Sequence, residues 1–192
     1  MFSQELEKLE NQILDLQKQR NDLLQKEAKI TDVEAYEFVD KEGRNRTLDS
    51  LLQAKEFLVV IHNMGSGCSY CTLWADGFNG IVEHLEDAFS FVVATPDSFE
   101  VMKSFSDVRL WKFQMISAKN TTFFEDMGFA RKKDEKTYYM PGYSLFQKNS
   151  DGSISRIAMD YFGPGDSYSS IWHFLNFFPV DFKWAPKKTY QK

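Results

Sequence analysis

The chain has 192 residues, 43% hydrophobic and 16% aromatic with 18 Phe, which suits one embellished domain with a buried core and argues against a disordered chain. A net charge of −5 offers nothing to a nucleic-acid backbone, and the basic run Arg131-Lys132-Lys133, cut off at once by Asp134 and Glu135, reads as a solvated loop. The longest apolar runs, such as Phe57 to Ile61, are far too short to span a bilayer, so neither a nucleic-acid partner nor a membrane is expected. Met1 to Arg20 carries acids and amides where a secretory signal needs a basic patch and an apolar stretch. A cytoplasmic location follows as the expectation, and in a reducing compartment a close cysteine pair is more often catalytic or metal-binding than structural.

Residues Ser3 to Lys29 form one helical pattern without Gly or Pro, with Leu6, Leu9, Ile13, Leu16 and Leu23 at intervals of three and four. Two readings follow: an amphipathic helix packed on its own domain, or a coiled-coil arm in a homodimer, with Arg20 interrupting the seam. Tyr36, Phe38 and Val39 predict a short strand ending at Glu42-Gly43, and Thr47 caps a short helix carrying Leu48, Leu51 and Leu52. The run Phe57-Leu58-Val59-Val60-Ile61 is the kind buried on both faces of a sheet. A Gly-rich loop, a helix to about Asp87 and a second buried run from Phe89 to Ala94 complete a βαβ unit with parallel strands.

Pro96 and Asp97 start a helix to about Phe105, Phe113 to Ser117 is a weaker strand, and Asn120 to Gly128 holds a short helix. Tyr143 to Gln147 and Ile154 to Met159 flank Asn149-Ser150-Asp151-Gly152, a hairpin signal. After the Gly163-Pro164-Gly165 break a helix is expected from Ser167 to Phe178. The chain thus divides into a helical arm (1–30), an α/β domain (31–182) and a flexible tail (183–192).

The chemistry lies in Gly67-Cys68-Ser69-Tyr70-Cys71, between a buried strand and a helix. Only a thiolate attacks a disulfide, and a free thiol titrates near ~8.5. At the first turn of a helix, unpaired amides and the helix dipole favour the anion, and lowering its pKa by about two units is worth roughly 2.7 kcal/mol. Cys68 is then the nucleophile and Cys71, one turn away, the resolving thiol. Half of a zinc site or two inert core cysteines are the competing readings. With no second C-x-x-C and only His62, His84 and His173 to draw on, zinc is not expected, and no metal or cofactor is called for. His62, six residues before Cys68, is either a proton acceptor for Cys71 or a histidine simply hydrogen-bonded at a strand end. Trp74 is assigned to core packing, and Gly77 and Gly80 are expected to kink or break the helix.

Strand, C-x-x-C on a helix, strand, helix, then Pro141 before a hairpin and a final helix resembles the thioredoxin order. The resemblance implies a three-layer α/β fold with a mixed central sheet, preceded by the long N-terminal helix. It also implies a cis bond at Pro141 in Met140-Pro141-Gly142-Tyr143-Ser144-Leu145-Phe146, with Met140 offering its backbone to an incoming peptide. Ser69 and Tyr70 would face that substrate. Read without the resemblance, Pro141 is an ordinary trans proline starting a strand. Cys71-Thr72-Leu73-Trp74-Ala75-Asp76-Gly77-Phe78-Asn79-Gly80, after a long leading helix, is similar to the corresponding phrase of domain-of-unknown-function family 899, described as predicted dithiol–disulfide oxidoreductases. This chain departs from that family in its short His62–Gly67 connection.

The function expected is thiol–disulfide exchange with a protein or small-molecule disulfide, coupled to a thiol reductant. A peroxiredoxin-like peroxidase is the enzymatic alternative. Counted back from Cys68, however, the places of that family's Pro and Thr hold Ile61 and Gly65; counted from Cys71, they hold Met64 and Cys68. A third reading is a non-catalytic binding module that recruits a partner through its helical arm and aromatic surface.

Overall fold

In the computed structural model, which describes residues 3–189, the two β-branched runs become the centre of the molecule. They are β3 (Phe57–His62) and β4 (Ser90–Thr95), paired in parallel with Val60 opposite Val92, and every residue of β4 is buried. β5 (Gln114–Ser117) adds in parallel on the far side of β4. β8 (Gly142–Lys148) and β9 (Ile154–Tyr161) form the expected hairpin, in which β8 runs antiparallel to β3. β1 (Phe38–Asp40) and β2 (Asn45–Arg46) complete a seven-stranded mixed sheet in the order β2-β1-β5-β4-β3-β8-β9.

Alternation along β3 divides the apolar side chains between two layers. Leu58 and Val60 join Phe38, Leu51, Val92, Phe123 and Phe129 on the face covered by α2 (Leu48–Leu52) and α5 (Phe123–Asp126). Val59 and Ile61 join Trp74, Phe78, Val93, Met102 and Trp172 on the face covered by α3 (Ser69–Ala88), α4 (Phe99–Arg109) and α6 (Ile171–Leu175). Helix, mixed sheet, helix is the three-layer thioredoxin-like arrangement expected.

The N-terminal pattern is one helix, α1 (Gln4–Ala28), capped by Ser3. Its C-terminal end is held to β9: Arg156 donates to the Ala28 carbonyl at 2.7 Å, and Ile30 and Arg156 exchange backbone hydrogen bonds of 3.0 and 2.9 Å. Thr47 caps α2 in a reciprocal capping box with Ser50.

Four expectations need correction. Gly77 and Gly80 do not break α3, which runs unbroken for 20 residues because Trp74, Ala75, Phe78 and Val82 bury one face while both glycines lie on the exposed side. α4 starts at Phe99 with Ser98 as its cap; Asp97 turns back toward the loop before Cys68. The basic run at 131–133 is not a loop but part of β6 (Ala130–Lys133), which pairs with β7 (Lys136–Tyr139) around Asp134 and Glu135, both at positive φ. The closing helix is only Ile171–Leu175, and Phe174 and Phe177 beyond its buried Trp172 are exposed.

Residues 183–189 lie against the body: Trp184 packs edge-on to Trp172 at 6.0 Å, Pro186 is buried, and Arg109 donates to the Lys188 carbonyl at 2.8 Å. The rest of the expected flexible tail, 190–192, lies outside the described residues. Among those described, no helix is long and apolar enough to cross a membrane.

Candidate active site

The loop Asn63 to Gly67 leaves the carboxyl end of β3, beside the carboxyl end of parallel β4, and the two cysteines follow it. Two side-chain contacts fix this loop. Asn63 Oδ1 accepts from the Gly65 amide at 2.8 Å, and Asp97, just beyond β4, accepts from the Ser66 amide at 2.6 Å. Asp97 is itself anchored, since its carbonyl accepts from the Ser117 hydroxyl at 2.6 Å and its amide donates to Thr95 Oγ1 at 3.2 Å. Gly65 has φ +100°, and a Cβ there would stand 2.8 Å from Asp97 Oδ1, so close approach and backbone conformation both demand glycine. Sequence reasoning singles out neither Asn63 nor Asp97 as part of the site, and reads Asp97 only as the start of a helix. Their position at the ends of two adjacent parallel strands is the signal that could have found them.

The loop delivers Cys68 to the N-cap of α3, where its sulfur accepts from the Cys71 amide at 3.2 Å. A sulfur therefore occupies the place of a capping oxygen, among amides that have no partner within the helix. Both cysteines are free; Cys68 is half-buried and Cys71 is buried. The Cys71 thiol hydrogen-bonds the Cys68 sulfur, and with the Cys71 and Tyr70 amides and the charge of Lys188 it outweighs burial, holding Cys68 down at about 6. The same bond holds the proton on Cys71, and burial adds to it, so that thiol is pushed far above its usual range. The Met64 amide donates to Cys71 Sγ at 3.4 Å and opposes this shift. One sulfur is thus an anion at neutral pH, and its neighbour is a protonated reserve.

Tyr70 and Ser69 follow Cys68 on the half-buried first turn. The Tyr70 ring stacks on Trp172 at 6.1 Å and lies 6.3 Å from Trp74, making an aromatic wall beside the sulfurs that sequence reasoning missed in α6. Trp74 is buried, as its packing role requires, and its indole N–H reaches Asp166 at 3.4 Å.

Two other expectations are not met. His62 is not brought to Cys71. It is fully buried on the opposite face of the sheet, stacked on Phe129 at 3.8 Å, with Nε2 2.9 Å from Ser144 Oγ and no partner for Nδ1. Burial, with Arg156 nearby, holds it neutral by pushing its pKa well below the usual value. Period-two alternation explains the placement, because Ile61 takes the thiol face and His62 the other. No cis peptide bond is present among the described residues, so Pro141 is trans. Pro141 does lie at the start of β8, beside the end of β3, because Gly142 stands opposite His62. The Met140 amide, however, is already engaged by the Phe129 carbonyl at 2.8 Å, and the Pro141 carbonyl accepts from the Phe162 amide at 2.9 Å. Met140 therefore has no free N–H for an incoming strand.

The fold is shared with solved structures of low identity. Peroxidoxin BcpB from Mycobacterium tuberculosis superposes with a TM-score of 0.57 at 19% identity, over 72% of this chain and 87% of that one. A mutant of Xylella fastidiosa PrxQ gives 0.57 at 13% identity, over 73% and 87%. The Xanthomonas campestris bacterioferritin comigratory protein, described for its alkyl peroxide reduction activity, gives 0.55 at 14%, over 73% and 90%. No curated protein matches the sequence. Residues 4–183 match the family described as "Bacterial protein of unknown function (DUF899)". With that match running from α1 through the cysteine helix to the aromatic C-terminal segment, the chain belongs to the DUF899 family and has a thioredoxin-like fold.

Proposed function

We propose that the protein is a thiol–disulfide oxidoreductase in which Cys68 attacks and Cys71 resolves. The observation that carries this reading is the unequal pair: a half-exposed sulfur held down at about 6 at a helix N-cap, bonded to a buried thiol one turn on. In the first step the Cys68 thiolate attacks one sulfur of a substrate disulfide. A Cys68–substrate bond forms, the substrate S–S bond breaks, and the first thiolate departs, to take up the Cys71 proton in the second step while the other thiolate takes one from solvent. In the second, Cys71 gives up its proton and attacks Cys68 Sγ, expelling the remaining substrate thiolate. The protein is left with a Cys68–Cys71 disulfide and the substrate with two thiols. A dithiol reductant returns the pair to its starting state.

The Met64 N–H, 3.4 Å from Cys71 Sγ, is aimed where negative charge develops in the second step. Once Cys68 is consumed in the mixed disulfide, it no longer holds the Cys71 proton, and the buried thiol falls toward its working range. The departing substrate thiolate is the base nearest to that proton, a role for which His62, on the far face, is not available. Ser69 and Tyr70 border the attacking sulfur, and the Tyr70–Trp172 wall suits an apolar group beside the scissile disulfide.

The test is insulin or a small model disulfide with dithiothreitol as reductant. Cys68→Ser should reduce turnover to background, and Cys71→Ser should trap a mixed disulfide visible by mass spectrometry. Full turnover by Cys68→Ser would sink the assignment. Fold likeness to peroxide-reducing proteins supports one second reading, a thiol peroxidase, in which the Cys68 thiolate attacks a peroxide oxygen, releases water or an alcohol, and is resolved by Cys71. Ile61 and Gly65 stand where that chemistry uses Pro and Thr, so peroxide consumption faster than disulfide reduction is the result that would favour it.

A further inference from the structure

We infer that α1 is a docking surface for α1 of a second copy of this chain, packed antiparallel. Leu9, Leu16 and Leu23 recur every seven residues and are 49%, 62% and 55% exposed. Three leucines at heptad spacing along one line of a helix are the seam of a coiled coil, and here that seam has no partner within the described chain. In the adjoining line of Leu6, Ile13 and Arg20, Ile13 is 49% exposed like Leu9, but the two ends turn toward the domain. Leu6 is half-buried, and Arg20 Nη2 reaches over to Asp160 at 2.6 Å. Gln17, Arg20 and Asn21 line a cavity of about 430 Å³ together with Asp160 and Tyr168 of the domain. Arg20, which interrupts the seam when the sequence alone is read, is therefore part of the domain-facing side and leaves the leucine line intact.

Charge identifies the occupant and its direction. Beside the leucine line, away from the domain, run Glu5, Gln12, Gln19 and Lys26, all exposed and again seven apart. This edge carries an acid at one end, a base at the other and two amides between. Laid antiparallel on a copy of itself with Leu16 near the two-fold axis, it pairs Glu5 with Lys26 at both ends and Gln12 with Gln19 in the middle. Leu9 then meets Leu23, and Leu16 meets its own copy. Laid parallel and in register, the same edge leaves Glu5 and Lys26 at opposite ends, so neither ion pair forms. The stretch from Glu5 to Lys26 is about 30 Å long at ~1.5 Å per residue, enough for three leucine layers.

Sedimentation of the full chain at micromolar concentration tests this. The expected species is a dimer. Leu16→Lys, a change at an exposed site that leaves the circular dichroism of the fold unaltered, should weaken it about 100-fold, from the loss of two facing leucines. Glu5→Lys should weaken it several-fold, and Glu5→Lys with Lys26→Glu should restore it. A monomeric wild-type protein, a dimer indifferent to Leu16→Lys, a tightening by Glu5→Lys, or a double variant no better than the single would each overturn the inference. It does not depend on the chemistry assigned to Cys68.

Discussion

The two faces of the sheet differ in what they do with their polar groups. On the α2/α5 face, His62 is enclosed by Phe123, Phe124 and Phe129, and its one hydrogen bond goes to Ser144. On the α3 face, two sulfurs sit at a helix end, one of them half open to solvent. One face holds its histidine neutral by burial and a nearby guanidinium; the other stabilises charge on a thiol. The boundary between them is a single residue step along β3, from Ile61 to His62. Nearness in sequence to a reactive cysteine therefore says little until strand parity is counted.

The largest effect should come from the sealed face. Gly142 lets β8 pass between β3 and β9; a Cβ there would stand 2.2 Å from the Asp160 carbonyl and 2.5 Å from Phe129. Gly142→Ala should cost about 3 kcal/mol in urea unfolding, and a near-neutral result would mean that this layer is far looser than described. Next comes the open face. Cys71→Ala removes the largest influence holding Cys68 down, so the midpoint of its alkylation rate should climb from about 6 toward the ordinary thiol value near ~8.5. A midpoint that stayed put would mean the helix end alone sets the anion.

His62→Phe asks whether the faces are independent. Below about pH 6.5 the unfolded chain takes a proton on His62 that the folded chain refuses, so unfolding is favoured as pH falls. This stability is fully present above about pH 6.5 and is progressively lost as pH falls below it. In His62→Phe that part of the acid limb should flatten while the Cys68 alkylation profile stays unchanged; a shifted profile would join the two faces. The smallest effect belongs to Gly77 and Gly80, around which a Cβ meets nothing within 4 Å. Each Gly→Ala should raise stability by about 0.5–1 kcal/mol in thermal unfolding, leaving thiol reactivity alone.

Much of this architecture was legible because it rests on strong local signals. Phe57 to Ile61 and Phe89 to Ala94 are apolar enough to be central strands in any context, and Cys68 falls where the following helix must begin. What escaped was held by contacts distant in the chain. The β6–β7 hairpin buries little of itself and turns at Asp134-Glu135 instead of a glycine pair, so neither alternation nor turn chemistry marked it. α3 keeps two glycines because burial of Trp74 and Phe78 outweighs their cost, a balance invisible to propensity. At the site, the cysteines were legible and the clasp around them was not: Asn63, Asp97 and Trp172 acquire meaning only once β3, β4 and α6 are side by side.

The aromatic wall carries a consequence for observation. Indole emission is quenched by nearby sulfur, and Trp74 and Trp172 pack in the same layer as Cys68 and Cys71, with Tyr70 between them. Oxidation of the pair alters that quencher without any label being attached. Under the proposed dithiol chemistry these indoles would serve as an optical gauge of the pair, and a stopped-flow fluorimeter would follow each half of a turnover as it happens.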